Sequence, residues 1–120
     1  MKKILVVDDE LEIIELLKEF LKERGYQVDS AQSASETYEK ITSFQPDIIL
    51  LDIRLPDASG IDVLKKVKEL NSKIDVIMVT GVIDKKTALK AMEMGASDYV
   101  VKPIDLEYLE TSILAKLIYK

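Results

Sequence analysis

The stretch that decides the fold is PDIILLDIRLPDASG, residues 46–60. Four apolar residues, 48–51, end abruptly at Asp52, and Pro56 and Gly60 then interrupt regular structure. A short apolar run between such residues predicts a strand that is buried on both faces of a sheet. Asp52 would then lie at the carboxyl end of that strand, where open α/β sheets bind their ligands. Taken alone, an aspartate in such a loop usually has no catalytic role. The role of Asp52 therefore depends on which side chains the other strands place beside it.

Short predicted strands occur at five places, and each is followed by a helical pattern. The strands cover residues 4–7, 28–31, 48–51, 74–79 and 98–101, of which 28–31 is the least apolar and is expected at an edge of the sheet. Strict alternation with mostly apolar strands predicts an α/β domain whose parallel sheet is covered by helices on both faces. The alternation leaves the order of the strands open.

The predicted helices each bury one apolar face and have recognisable ends. The expected buried residues are Ile13, Leu16, Leu17, Phe20 and Leu21 in the first helix, Ala34, Tyr38 and Ile41 in the second, Ile61, Leu64, Val67 and Leu70 in the third, Ala88, Ala91 and Met92 in the fourth, and Leu109, Ile113 and Leu117 in the fifth. The expected capping residues are Ser33 with Glu36 in a capping box, Asp84 and Asp105 at helix N-termini, and Gly25 and Gly95 at helix C-termini.

The composition limits the chemistry that the chain can perform. With 120 residues, 48% of them hydrophobic, the sequence fits one folded domain over residues 1–120. It contains no cysteine and no histidine, which excludes disulfides, thiolate metal sites, the usual zinc sites and histidine-based catalysis. A net charge of −5 disfavours non-specific binding to nucleic acid or anionic membranes. No apolar run approaches the roughly 20 residues that span a bilayer, so a cytoplasmic location is expected.

Chemically useful side chains follow the four most apolar strands. They are Asp8 and Asp9 after the first strand, Asp52 after the third, Thr80 with Gly81 after the fourth, and Lys102 with Pro103 after the fifth. Each has an ordinary explanation when taken alone, as a helix cap, a backbone hydrogen-bonding group or a surface lysine. Because the carboxyl ends of parallel strands meet at one edge of a sheet, we expect the whole set to lie together.

Three neighbouring carboxylates repel one another unless one is protonated or a cation lies among them. Oxygen ligands favour a hard divalent cation, so Mg²⁺ is the expected cofactor, held by one or two carboxylates, a backbone carbonyl and water. Lys102 and the hydroxyl of Thr80 could then hold phosphoryl oxygens, and Gly81 leaves space beside that hydroxyl. Such a set indicates a phosphoryl-transfer site in which Asp52 is the nucleophile and becomes an aspartyl phosphate.

The motifs resemble those of the receiver domains of bacterial two-component response regulators, and the resemblance covers the whole chain. It rests on Asp8-Asp9, Asp52, Thr80-Gly81 and the run YVVKP at residues 99–103. The resemblance implies a flavodoxin-like, doubly wound (βα)5 fold with a five-stranded parallel sheet in the order 2-1-3-4-5. It also implies that residues 1–120 form a single receiver domain and that the Lys102-Pro103 peptide bond is cis.

The resemblance assigns the metal site and the acceptor to particular residues. Asp52 would be the phosphoacceptor and would share in binding Mg²⁺. Asp9 would bind Mg²⁺ directly, and Asp8 would assist largely through water. Arg54 would supply its backbone carbonyl to the metal.

The resemblance also implies a switch. Thr80 and Lys102 would contact the phosphoryl oxygens, and Thr80 would move toward the phosphoryl group while the ring of Tyr99 turns inward. This change would remodel the face built from the fourth helix, the fifth strand and the fifth helix. The protein would therefore act as a signalling switch, whose only catalysis is its own phosphorylation and slow autodephosphorylation, and not as an enzyme.

The expected partners follow from the same resemblance. A sensor histidine kinase or a phosphotransfer protein would donate the phosphoryl group, and an output domain or a target protein would respond. No direct contact of this domain with nucleic acid or a membrane is expected. Leu114, Ile118 and Tyr119 could form the face of a phosphorylation-linked homodimer, the start of a linker or part of the core.

Three other functions fit parts of the sequence. A phosphatase of the haloacid-dehalogenase type also uses an aspartate nucleophile, but its D-x-D motif follows the first strand, where this chain has Asp8-x-Glu10. A flavin-binding electron carrier would need Ser, Thr or Gly in that loop, which is acidic here. A receiver that binds partners without phosphorylation would not need the complete acidic set.

Overall fold

The computed structural model describes residues 2–118, in which five strands alternate strictly with five helices. The elements are β1 Lys3–Val7, α1 Leu11–Glu23, β2 Gln27–Ala31, α2 Ala34–Ser43, β3 Ile48–Leu51, α3 Gly60–Leu70, β4 Asp75–Thr80, α4 Lys85–Glu93, β5 Asp98–Val101 and α5 Leu106–Ile118. All five predicted strands are confirmed, each to within one residue at either end.

The five strands form one parallel sheet in the order β2-β1-β3-β4-β5. This confirms the flavodoxin-like fold and places β2 at an edge, as its weakly apolar sequence predicts. The strand order reverses between β1 and β3, which pair with Val7 opposite Leu51. Ligands of doubly wound sheets bind beside such a reversal, at the carboxyl ends of the strands.

Two apolar layers lie on opposite faces of the sheet, and alternate residues of the central strands belong to one layer or the other. This follows because successive side chains of a strand point to opposite faces. Leu5 and Val7 pack with α2, α3 and α4 on one face of the sheet. Ile4 and Val6 pack with α1 and α5 on the other face. The central strands are therefore covered on both sides, and only their ends reach solvent.

The predicted helix ends are confirmed, with one difference in the capping box. Gly25 has φ +88° and Gly95 has φ +105°, the left-handed conformation that ends α1 and α4. The Ser33 hydroxyl accepts the N–H of Glu36 at 3.1 Å. The Glu36 carboxylate, however, accepts the N–H of Gln32 at 2.7 Å, one residue before the group that a capping box uses.

The two predicted aspartate caps are also present. The Asp84 carboxylate accepts the N–H of Lys86 at 3.2 Å at the start of α4. The Asp105 carboxylate accepts the N–H of Tyr108 at 3.2 Å at the start of α5. Both contacts satisfy N–H groups that have no partner within the helix.

Some predicted helix faces are wrong. In α1 the buried stripe is Ile14, Leu17 and Leu21, whereas Leu16 is 46% exposed. Leu16 lies two residues from Ile14, about 200° around the helix, and so points away from the sheet. Leu70 is the last residue of α3 and is 57% exposed.

The fourth helix buries less than its sequence predicts, since Ala91 is buried but Met92 is 43% exposed. At the end of α5, Leu114 and Ile118 are exposed, so neither belongs to the core. Tyr119 lies outside the described residues. Among residues 2–118, no helix is long and apolar enough to cross a membrane.

Candidate functional site

Backbone hydrogen bonds between neighbouring strands fix Asp8 and Asp52 side by side. The Asp8 N–H donates to the carbonyl of Ala31 at 3.1 Å, and the Asp52 N–H donates to the carbonyl of Val7 at 3.0 Å. Each aspartate therefore continues the sheet by one residue beyond β1 or β3. Both side chains are buried, whereas Asp9 is exposed.

Four acidic residues meet at this edge of the sheet. One carboxylate oxygen from each of Asp8, Asp9, Glu10 and Asp52 lies within 4.8 Å of the other three. An open cleft of about 230 Å³ adjoins them and is lined by Asp9, Glu10, Asp52, Arg54, Gly81 and Lys102. Of the residues predicted from the strand ends, Asp8, Asp9, Asp52, Gly81 and Lys102 therefore meet here, whereas the buried Thr80 is not among the residues that line the cleft.

Lys102 balances part of this negative charge. Its Nζ lies 2.7 Å from Asp8 Oδ2, 3.1 Å from Asp52 Oδ2 and 3.4 Å from Glu10 Oε1. Burial favours a lower pKa for Lys102, but the hydrogen bonds to Asp8 and Asp52 outweigh it and raise the pKa above its ordinary value. The ammonium group therefore keeps its charge at physiological pH.

The surroundings of Asp8 disfavour its charged form. Burial raises the pKa of Asp8, although hydrogen bonds from Lys102 Nζ and from the N–H of Glu10, at 2.9 Å, act in the opposite direction. A raised pKa at a buried carboxylate marks a place where an additional cation would be favourable.

The donor set fits Mg²⁺. All four acidic residues offer oxygen atoms, and two of them, Asp9 and Glu10, are exposed at the cleft. A lysine ammonium already lies between Asp8 and Asp52, which shows that this pair accommodates positive charge. Arg54 contributes to the lining of the same cleft, and its N–H donates to Asp52 Oδ1 at 3.3 Å.

Thr80 and Tyr99 are linked through the loop between β4 and α4. The Thr80 hydroxyl accepts the N–H of Val82 at 3.3 Å, and the Tyr99 hydroxyl donates to the carbonyl of Val82 at 2.6 Å. Thr80 is buried and Tyr99 is half-buried. Burial, then the charges of Asp84 and Asp52, raise the pKa of Tyr99. One residue, Val82, therefore connects the hydroxyl of Thr80 with the side chain of Tyr99.

Lys102 is held at the site by its own backbone. Its N–H donates to the carbonyl of Thr80 at 2.9 Å, which extends the pairing of β4 and β5 by one residue. The Lys102-Pro103 peptide bond is cis, as predicted. Gly81 lines the cleft, and a Cβ there would meet no atom within 4 Å.

A closed loop follows Asp52. Gly60 donates its N–H to the carbonyl of Ile53 at 2.6 Å, and Arg54 and Ser59 form an isolated antiparallel bridge. A Cβ on Gly60 would overlap the backbone of Asp52 and Ile53. Only glycine allows the chain to pass this close to the end of β3.

Sequence reasoning did not assign Glu10 to the site. It is the N-cap residue of α1, and its carboxylate contacts Lys102. The run of three acids after β1 was the available signal, because consecutive residues at a strand end can all reach the same edge. The need for glycine at position 60 was also missed, since it depends on the approach of two backbones.

A family model described as the response regulator receiver domain matches residues 4–114 of this chain. Among curated proteins, the chain is similar to the transcriptional regulatory protein ZraR of Escherichia coli (strain K12), with 36% identity over 110 residues. That match covers 92% of this chain and 25% of ZraR, so the chain spans about a quarter of that relative.

Two solved structures are similar to this chain over nearly the whole length of each compared chain. A two-component response regulator from Clostridium difficile has a TM-score of 0.94 with 32% sequence identity, covering 98% of this chain and 96% of the other. The response regulator TrrA from Thermotoga maritima, solved in complex with Mg²⁺ and BeF, has a TM-score of 0.87 with 35% identity, covering 97% and 99%.

Proposed function

This chain belongs to the response regulator receiver domain family, and from that membership we propose that Asp52 accepts a phosphoryl group from a phosphohistidine. The donor would be a sensor histidine kinase or a phosphotransfer protein. The observation that carries the proposal is that Asp52 belongs to an acidic cluster at an open cleft and lies 3.1 Å from the ammonium of Lys102.

The proposed reaction exchanges one bond to phosphorus for another. A carboxylate oxygen of Asp52 attacks the phosphorus, forming an O–P bond as the P–N bond to the histidine breaks. The electron pair of the P–N bond stays on the imidazole nitrogen, and the ring leaves neutral because its other nitrogen is protonated. Arg54 N–H, at 3.3 Å from Asp52 Oδ1, helps to orient the attacking carboxylate.

Positive charge must surround the phosphoryl group, because its oxygens and Asp52 are all negative. Asp8, Asp9, Asp52 and the carbonyl of Arg54 would hold Mg²⁺, which neutralises charge on the phosphoryl oxygens when it is bound. The TrrA complex with Mg²⁺ and BeF supports this choice of cation. Lys102, already 3.1 Å from Asp52 Oδ2, is within reach of a phosphoryl oxygen carried by that carboxylate.

The proposed output begins at Thr80. Its hydroxyl would move to a phosphoryl oxygen and leave the N–H of Val82, to which it is bonded in this structure at 3.3 Å. Tyr99 holds the carbonyl of the same residue at 2.6 Å, so a shift of this loop changes the position of the ring. This is a two-state change triggered by local charge.

The response would be read at the face formed by α4, β5 and α5, here called the α4-β5-α5 face. The three elements carry several exposed apolar side chains: Leu89, Met92, Val101, Leu114 and Ile118. An output domain, a target protein or a second copy in a phosphorylation-linked homodimer could cover it. As part of the same proposal, residues 1–120 act as one receiver domain in the cytoplasm and do not contact nucleic acid directly.

Incubation with a small phosphoryl donor that contains a P–N bond distinguishes this function from that of a phosphatase. With Mg²⁺ and phosphoramidate, phosphorus NMR should show one protein-bound phosphoryl signal, and the signal should be lost when a chelator replaces Mg²⁺. With glucose 6-phosphate, no continuing release of phosphate is expected. Sustained ester hydrolysis without a protein-bound signal would instead support a phosphatase of the haloacid-dehalogenase type.

A further inference from the structure

Asp57 joins the loop after β3 to the start of α2. Its Oδ1 accepts the N–H of Ala34 at 2.8 Å, and its Oδ2 accepts the N–H of Ser35 at 3.0 Å. These are the first two N–H groups of α2, which have no partner within the helix. The hydroxyl of the N-cap residue Ser33 accepts the N–H of Glu36 and leaves these two groups to Asp57. A residue 23 positions further along the chain than Ala34 therefore completes this helix end.

The charge of Asp57 suits this position. The hydrogen bonds from Ala34 and Ser35 lower the pKa of Asp57, and the helix N-terminus favours a negative charge. Asp57 neither belongs to the four-acid cluster nor lines the cleft, and its two carboxylate oxygens are bonded to the N–H groups of Ala34 and Ser35. Its effect on the site must pass through the loop.

The other end of the same loop contacts the phosphoacceptor. The Arg54 N–H donates to Asp52 Oδ1, and Arg54 and Ser59 bridge the base of the loop. Leu55 packs against the apolar layer below it. The loop is thus closed at its base beside Asp52 and fixed at its tip by Asp57.

We infer that Asp57 is a positioning residue, which ties the loop to α2 and so holds the backbone of Arg54 where its carbonyl can serve Mg²⁺. The inference rests on the proposed function, because that function gives the Arg54 carbonyl its role. Loss of the Asp57 carboxylate should weaken Mg²⁺ binding by about 10-fold, the lower end of the range for groups that orient metal ligands. The fold should persist, because the side chain is exposed.

Calorimetric titration with MgCl₂ tests the inference on the whole chain. Asp57→Ala should bind Mg²⁺ about 10-fold more weakly than wild type. Asp57→Asn should be intermediate, because its amide oxygen keeps one acceptor. Asp62→Ala is the matched control, since Asp62 is an exposed acid in the first turn of α3 whose charge, like that of Asp57, acts on Tyr38. It should bind like wild type.

Two further readouts separate positioning from loss of folded protein. Without Mg²⁺, the amide NMR signals of Ala34 and Ser35 should shift in the Asp57 variants and not in Asp62→Ala. In phosphorylation by phosphoramidate, Asp57→Ala should need more Mg²⁺ for half-maximal rate and reach a plateau close to wild type. A lower plateau at unchanged half-saturation would overturn the positioning role.

The outcomes also distinguish this inference from the proposed function. Equal Mg²⁺ dissociation constants for Asp57→Ala and wild type would defeat the inference, whatever the phosphorylation result. Wild type that binds Mg²⁺ and takes up no phosphoryl group would defeat the proposed function, while the calorimetric comparison would still decide on Asp57. Wild type that binds no Mg²⁺ would defeat the inference together with the metal-dependent part of the function.

Discussion

The ammonium group of Lys102 lies among the carboxylates of Asp8, Glu10 and Asp52. Its side chain is only 14% exposed, and the side chains of its partners Asp8 and Asp52 are 3% and 7% exposed. Removing one partner of a buried charged set leaves the others uncompensated, which costs far more than losing a surface ion pair. Lys102 is therefore expected to stabilise the metal-free protein as well as to serve the chemistry.

Replacing Lys102 by methionine tests this directly. Lys102→Met should lower the free energy of unfolding at pH 7 without metal by about 3–5 kcal/mol, the range for breaking a buried ion pair. The pKa of Asp8 in the folded protein, already raised by burial, should rise further in this variant. The variant should therefore be most stable at acid pH, and its free energy of unfolding should fall as the pH rises through the folded-state pKa of Asp8.

Urea unfolding of wild type and Lys102→Met at pH 5 and pH 7, with and without MgCl₂, measures the effect. Mg²⁺ should restore much of the lost stability, because it can replace the missing positive charge. Equal stability of the two proteins at pH 7 without metal would show that the Lys102 contacts contribute nothing net.

Because Gly60 has no side chain, the loop after Asp52 can pack closely against the end of β3. It is the first residue of α3, where helix propensity alone would predict that alanine stabilises the protein. Because a Cβ there would overlap the backbone of Asp52 and Ile53, we expect the opposite sign. Gly60→Ala should destabilise the protein by roughly 1–3 kcal/mol, as overpacked cores do.

Gly81→Ala is the control for this substitution, because a Cβ at position 81 would meet no atom within 4 Å. Thermal unfolding of both variants beside wild type measures the difference. A Gly60→Ala protein as stable as wild type would mean that the loop can move away from β3 at little cost.

The link between β5 and α5 depends on Asp98. Its Oδ2 accepts the hydroxyls of Tyr108 at 2.8 Å and Ser112 at 2.6 Å, and its Oδ1 accepts the N–H of Tyr99 at 2.7 Å. Burial favours a higher pKa for Asp98, but these three hydrogen bonds outweigh it and lower the pKa below its ordinary value of 3.8. The strand that carries Tyr99 is thus fastened to α5.

A carboxyl group with a lowered pKa contributes stability above its unfolded pKa, here near 3.8, and loses it as the pH falls through the folded value. Asp98→Asn should therefore be less stable than wild type at pH 7 and should lose less stability on acidification. Tyr108→Phe, which removes one hydrogen bond, should cost about 1 kcal/mol at pH 7. Urea unfolding at pH 7 and pH 3 measures both, and parallel pH profiles for wild type and Asp98→Asn would contradict the assignment.

Across the whole molecule, properties that depend on chain order were predictable from the sequence. The alternation of short apolar runs and helical patterns predicted the positions of all five strands, because buried parallel strands are apolar along most of their length. The strand ends placed Asp8, Asp9, Asp52, Thr80 and Lys102 at one edge, since parallel strands share a carboxyl edge. The strand order required the family resemblance, because alternation permits several orders.

Properties that depend on how elements rotate or approach one another were not predictable. The choice between Leu16 and Ile14 as a core residue depends on the rotation of α1 about its axis, because the two lie at opposite edges of one wide apolar stripe. The cap that Asp57 places on α2 joins residues more than 20 positions apart. No local pattern records such a contact.

The central claim is that this chain is a phosphorylation switch whose acceptor is Asp52. The most direct test is the intact mass of wild type and Asp52→Asn after incubation with acetyl phosphate and Mg²⁺. We expect wild type to gain the mass of one phosphoryl group and to lose it slowly, while Asp52→Asn stays unmodified. An equal gain on both proteins, or no gain on either, would contradict the claim.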